Sequence, residues 1–228
     1  MNIPVIKETD DWIAANKPAG LSVHDTDGAE GVVSLLKKEF NLDYLALVHR
    51  LDKVTSGCLL LAKNKEAAAH LSKQFQLRNV KKIYIAITEG KPKKKQGMIK
   101  GDMVSVRNGN FKLTKSMNNP AITQFFSLGY KDGLRLAFIN ILTGKTHQIR
   151  VALKSNGTPV LGDTRYGKQN DSSIDRCYLH HYICRFQTQN GELVTIKASP
   201  FEGEKFQEPD FQELLILNES KISGWLNK

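Results

Sequence analysis

Cysteine is scarce in this 228-residue chain: Cys58, Cys177 and Cys184 are the only three. An odd count in a chain of this length supports no disulfide framework, and a reducing, cytoplasmic compartment is the expectation. Long apolar runs are missing as well. No stretch reaches the ~20 residues a membrane helix needs. The N-terminal run Met1-Asn2-Ile3-Pro4-Val5-Ile6-Lys7-Glu8 has no signal-peptide pattern. Acidic residues are in deficit, with 23 Asp and Glu against 33 Lys and Arg, a net charge of +10. That balance suits a polyanionic partner. The phosphate-cradling patterns G-x-G-x-x-G and G-x-x-x-x-G-K-[ST] are absent, since Gly144-Lys145-Thr146 lacks the earlier glycine. So is the G-x-S-x-G elbow of serine hydrolases. Cys177, His180, His181 and Cys184 do not have zinc spacing, and residues 177 and 184 of a strand point to opposite faces, so no metal is expected. With no repeat and no shift in composition, one domain over residues 1–228 is expected, with a core of about 3–200 and a helical tail over 201–228.

The patterns that are present alternate between strand and helix. Residues 3–8 and 11–16 read as two short strands, ended by Lys17-Pro18-Ala19-Gly20. Val32, Leu35, Leu36 and Phe40 have the spacing of an amphipathic helix of about three turns. Asn64 is placed to cap a helix through Leu77 that buries Ala67, Leu71 and Phe75. Residues 81–87 alternate, which puts Ile83, Ile85 and Ile87 on one face and Lys82, Tyr84 and Ala86 on the other. The basic, glycine-containing stretch 91–119 reads as a solvated hairpin region and as a surface for phosphate contacts. Strands over about 121–130 and 134–142 follow. Gly144 breaks the second, and Thr146 is the expected cap of a helix with Ile149, Ala152 and Leu153 toward the core and His147, Arg150 and Lys154 on a polar face. Asn156-Gly157 ends that helix. Asn190-Gly191 joins strands 176–187 and 192–198 as a hairpin, and Phe211, Leu214, Leu215 and Leu217 form a final helix.

One stretch concentrates chemistry: Val48-His49-Arg50-Leu51-Asp52-Lys53-Val54-Thr55-Ser56-Gly57, followed at once by the apolar run Cys58-Leu59-Leu60-Leu61-Ala62. The run is short and reads as a buried strand, so an acid, a base and an imidazole sit on a turn that feeds the core. Ionisable groups held there must pair or do chemistry.

Three blocks then carry a resemblance. His49-Arg50-Leu51-Asp52 with Thr55-Ser56-Gly57 resembles the H-R-L-D-x-x-T-S-G signature of RluA-type pseudouridine synthases. Lys82-x-Tyr84-x-Ala86 is similar to that family's second block. Leu142-Thr143-Gly144-Lys145-Thr146-His147-Gln148-Ile149-Arg150, with Gly162-Asp163 and Tyr166-Gly167 after it, is similar to the third. Lys17-Pro18-Ala19-Gly20, Leu179-His180 and Ala198-Ser199-Pro200 also match, over about residues 3–200. The departures are Val54 where an acid is common, Lys145 where arginine is usual and Ala152 where histidine is frequent.

The resemblance implies an α+β catalytic fold: a mixed, mostly antiparallel sheet with flanking helices and a central RNA-binding cleft. It implies isomerisation of uridine to pseudouridine in ribosomal or transfer RNA, with no cofactor, no S4 RNA-binding domain before Lys17, and a monomer. The target base leaves its stack. Asp52 matches the essential aspartate, Arg150 the arginine that pairs with it, and Tyr84 the active-site tyrosine. Arg50 matches the residue that fills the space left by the flipped nucleotide. His49, Lys82, Lys145, His147 and Leu153 are further candidates for contact with the RNA, although hydrogen bonding within the turn and the helix start is an equally simple role for the two histidines. Two other activities fit a flipped base on this fold: silent RNA binding, in which Asp52 is dispensable, and base excision, which releases free uracil.

Overall fold

The computed structural model describes residues 3–26, 28–167 and 173–227. The chain forms two compact units, each built from two separate pieces: residues up to Lys82 with His180–Pro200, and Ile83–Leu179 with the segment from Phe201 onward.

In the first unit β1 (Val5–Glu8) and β2 (Trp12–Lys17) form a hairpin, followed by α1 (Val32–Glu39), the short β3 (Ala46–Leu47), β4 (Ser56–Ala62) and α2 (Lys65–Gln76). α1 buries Val32 and Leu36 but has eight residues, little more than two turns, because Phe40 already lies at its C-cap. α2 begins where its cap requires: the Asn64 side-chain oxygen accepts from the Ala67 N–H at 2.8 Å, and the Asn64 amide also donates to Asp11 at 2.9 Å. Asn64→Ala is expected to cost about 1–2 kcal/mol, read as a lower denaturant midpoint with an unchanged slope.

β5 (Lys81–Thr88) carries the chain into the second unit, which holds β6 (Gln96–Gly101), β7 (Met103–Val106), β8 (Asn110–Leu113), β9 (Ala121–Gly129), β10 (Arg135–Ile141) and α3 (Gln148–Ser155). β5, β10, β9 and β6 lie side by side, all antiparallel, with Tyr84 opposite Ile139 and Ile139 opposite Phe125. β7 and β8 form a separate hairpin from the basic stretch. Both faces of β5 are buried, so its alternation separates two buried faces.

The chain then returns to the first unit through β11 (Leu179–Gln187) and β12 (Leu193–Lys197), joined at Gly191 as the Asn-Gly pair predicts. There β4 is the central strand, with all seven residues buried. It pairs antiparallel with β2 and β3 and parallel with β11. Its Cys58, Leu60 and Ala62 pack with Trp12, Ala67, Leu71, Phe186 and Ile196 in the unit's core. Three helices, α4 (Glu204–Gln207), α5 (Pro209–Leu217) and α6 (Glu219–Leu226), end the chain where one was expected. Phe211 and Leu215 are buried, whereas Leu217 is exposed.

Two local expectations fail around α3. The helix starts at Gln148 rather than behind a Thr146 cap, with His147 at the cap position in the left-handed region (φ 57°) and no side-chain cap bond. The Gln148 amide does the fixing instead. Its oxygen accepts from the Thr143 hydroxyl at 2.7 Å and the Lys145 N–H at 3.0 Å, while its nitrogen donates to the Ile122 carbonyl and Thr123 hydroxyl, both at 3.1 Å. Arg150 is 4% exposed and does not lie on a solvated face. A buried carboxylate, Asp163, makes that position tolerable for a charge.

Candidate active site

In the first unit, the turn that bears Asp52 is held from three sides. Below it, Lys17 is fully buried, and its ammonium donates to the carbonyls of Pro18 (2.8 Å), Leu21 (2.7 Å) and Lys53 (3.3 Å). A buried ammonium is tolerated only when its donors are satisfied, and here they tie the Lys-Pro-Ala-Gly segment to the residue after Asp52. The Gly20 N–H donates to the same Lys53 carbonyl at 2.8 Å, and the Thr55 N–H closes the turn on the Asp52 carbonyl at 3.0 Å. Above it, the Ser56 hydroxyl meets His180 Nδ1 at 2.7 Å, and His180 Nε2 meets the Ala198 carbonyl at 2.7 Å. A carbonyl only accepts, so Nε2 carries a proton. Gly57 has a left-handed φ of 108°, and a β-carbon there would run into the His181 carbonyl oxygen. The Thr-Ser-Gly of the motif is therefore a backbone and hydrogen-bonding device that presents Asp52, which is itself half-buried.

Two expected RNA contacts from this unit face inward. The His49 ring stacks on Phe75 (4.5 Å between centroids), and its Nε2 accepts from the Leu60 N–H at 3.0 Å. Lys82 is 7% exposed, and its ammonium donates to the Val80 carbonyl at 3.1 Å. Burial, then the charges of His181 and Lys82, hold the His49 pKa well below the usual imidazole value. His181 is fully buried with Nδ1 on the Cys58 carbonyl at 2.6 Å. Burial and the Lys82 charge bring its pKa down from 6.5 to about 3, despite that hydrogen bond. Both rings are neutral in the folded protein at neutral pH. Arg50, by contrast, is exposed.

In the second unit, the aromatic ring of Tyr166 gathers the third block. His147 Nδ1 meets its hydroxyl at 2.9 Å, and that hydroxyl also accepts from the Phe111 N–H at 3.0 Å. The Arg150 guanidinium lies 5.1 Å and the Lys154 ammonium 5.7 Å from the ring centroid. The i, i+3, i+7 face therefore packs on a tyrosine. Arg150 makes a two-pronged ion pair with Asp163, Nε to Oδ2 and Nη2 to Oδ1, each 2.8 Å. Burial raises the Asp163 pKa, but the Arg150 bond and charge and the N–H groups of Tyr166 and Arg165 outweigh it, leaving the carboxyl below its ordinary value. Leu153 is buried on the same helix, Lys145 is half-buried before it, and Tyr84 on β5 is 6% exposed. Sequence reasoning assigned no role to Lys17, His180, His181, Asp163 or Tyr166. The signal for Lys17, Asp163 and Tyr166 lay in their matching blocks, beside glycines that only a constrained backbone explains.

The sequence profile described as RNA pseudouridylate synthase matches residues 11–155, which include Asp52, Tyr84 and Arg150. The chain belongs to the RNA pseudouridylate synthase family. A protein of Haemophilus influenzae named as an RNA pseudouridine synthase is 45% identical over 217 residues, covering 95% of this chain and 96% of that one. The ribosomal large subunit pseudouridine synthase C of Vibrio parahaemolyticus is 32% identical over 203 residues, 85% of this chain and 64% of its own length. Among solved structures, human RNA pseudouridylate synthase domain containing 4 superposes with a TM-score of 0.70 at 25% identity, covering 93% of this chain and 92% of that one. Human RNA pseudouridylate synthase domain containing 1 gives 0.73 at 24% identity, over 96% and 95%, a likeness of fold. The chain is accordingly an isomerase that converts uridine in RNA to pseudouridine, on an α+β fold with a mixed, mostly antiparallel sheet. Among the described residues no helix is long and apolar enough to cross a membrane.

Proposed function

We propose that the substrate is ribosomal RNA and that Asp52 supplies the carboxylate of the reaction, with Arg150 and Tyr84 as its catalytic partners. The N1–C1′ bond of the target uridine breaks, the uracil turns, C5 bonds to C1′, the C5 hydrogen leaves to solvent as a proton and N1 takes up a proton, so that the product is an isomer. Attack on the sugar, attack on the base and proton abstraction all call for a carboxylate at a defined place. The observation that carries the reading is the fastening of the Asp52 turn by Lys17, Thr55 and the Ser56–His180 pair, which fits a carboxylate that must not move. In this reading Tyr84 lies against the base and takes part in proton transfer, and Arg150 provides the cation. Neither a metal nor a cofactor takes part, and the enzyme acts as a monomer. Support for ribosomal RNA comes from the relative named for the large ribosomal subunit in Vibrio parahaemolyticus.

Arg50, Lys145, His147 and Leu153 are proposed to touch the RNA, whereas His49 and Lys82 support the turn from behind. Lys91, Lys93, Lys94, Lys95, Lys100, Arg107, Lys112 and Lys115 are all exposed and serve as phosphate contacts. Binding is expected to weaken steeply with salt. Lys100→Gln with Lys112→Gln should flatten the slope of log K against log salt by about 1.4–1.8, at about 0.7–0.9 per lost phosphate contact; an unchanged slope places the RNA elsewhere. The substrate is tested by tritium release from 5-tritiated ribosomal and transfer RNA prepared from cells lacking this enzyme. Release from ribosomal RNA alone is expected, and release confined to transfer RNA rejects the assignment.

A further inference from the structure

Arg150 is more closely held than a cation needs to be if its charge alone is used. Gly162, with φ 71°, begins the hold: a β-carbon there would run into the Arg176 carbonyl oxygen, so this bend requires glycine. It delivers Asp163, 3% exposed, beneath α3. Oδ1 accepts from the N–H groups of Arg165 (3.0 Å) and Tyr166 (3.1 Å), so the carboxylate is anchored to its own loop. It then takes Arg150 by Nε and Nη2, both at 2.8 Å. A guanidinium is planar, and two parallel bonds along one edge set its rotation as well as its position. The Tyr166 ring, 5.1 Å away, faces the same group. Two of the five N–H donors point at Asp163, and the adjacent Nη1–Nη2 edge carries two more, one from each nitrogen.

We infer that Asp163 is a positioning residue for the isomerisation: by gripping the Nε–Nη2 edge, it fixes the adjacent edge of Arg150 in the one orientation that serves the reacting anion. The inference rests on the role of Arg150 proposed above. It explains why a buried helical position carries arginine and why the carboxylate that balances it is clamped by backbone N–H groups. Lysine there would keep the charge and lose the edge.

The test compares tritium release by the whole enzyme and by Asp163→Asn, Asp163→Glu, Arg150→Ala and Arg150→Ala/Asp163→Asn. Thermal melts show which of them are folded. Asp163→Glu keeps the charge pair but lengthens its arm by one methylene. It should melt near the native protein, lose about 100-fold in kcat and change KM for RNA by less than about twofold, a split that a purely structural role does not produce. Asp163→Asn should lose at least as much. In the double variant kcat should equal that of Arg150→Ala, because the aspartate acts only through the arginine. Native kcat in a folded Asp163→Glu overturns the inference, as does a double variant whose losses multiply. If Arg150→Ala itself has native kcat, the assigned role of Arg150 fails, and that result is read from the single variant alone.

Discussion

Asp52→Ala should abolish isomerisation while leaving the fold intact. The side chain is half-buried, and the turn around it is held by other groups: the Lys17 ammonium on the Lys53 carbonyl, the Thr55 N–H on the Asp52 backbone carbonyl and the Ser56 hydroxyl on His180. None of these three bonds uses the Asp52 carboxylate. Removal of a nucleophile or proton acceptor at the reacting centre takes away the step itself, and a loss of at least about 10⁴ in kcat is expected, equivalent to a barrier higher by about 5.5 kcal/mol. Tritium release in single turnover measures it. Melting temperature and RNA affinity should stay close to native. A variant that still turns over within about tenfold of the native rate would remove Asp52 from the reaction and favour silent RNA binding on this fold.

Acid should destabilise the first unit as soon as pH falls below about 6.5. His181 has its folded pKa lowered from 6.5 to about 3 by burial and by the Lys82 charge, and His49 is lowered in the same direction by burial, His181 and Lys82. A histidine whose folded pKa is depressed binds its proton more readily when unfolded. Its contribution is therefore complete above an unfolded pKa of about 6.5 and is lost as pH falls below it. For His181 the loss is about 2 kcal/mol at pH 5 and on the order of 4–5 kcal/mol at pH 3. In the second unit Asp163, whose pKa is also lowered, loses its contribution only as pH falls below about 4, so it does not enter the window from 6.5 to about 4.5. Urea unfolding at pH 7 and pH 5 should show this loss, and His181→Asn, which retains a donor for the Cys58 carbonyl, should show less of it. Equal native stability at the two pH values would mean that the rings are protonated in the fold or solvated.

Much of this was written in local patterns. The Asn64 cap, the Asn190-Gly191 hairpin and the apolar β4 run are set by neighbours in sequence, and each stands where expected. What escaped is the burial of charged groups. Periodicity counts lysine and arginine as solvent-facing, yet Lys17, Lys82 and Arg150 are buried. Three backbone carbonyls, one backbone carbonyl and a carboxylate thirteen residues away, respectively, accept their donors. His180 and His181 drew notice as possible ligands, and their ring nitrogens proved to be joining strands instead. The two units left no compositional trace, since two of the three places where the chain passes from one to the other lie within the strands β5 and β11.

The central claim is that this chain exchanges the glycosidic bond of uridine in RNA. The most direct measurement is a nucleoside balance. Uridine-containing RNA from cells lacking the enzyme is incubated with the protein, digested completely and separated, with free bases collected as well. One pseudouridine should appear for every uridine lost, with no free uracil, and neither change should occur with Asp52→Ala. Free uracil accumulating in place of pseudouridine would make the chain a base-excising enzyme and contradict the isomerase assignment.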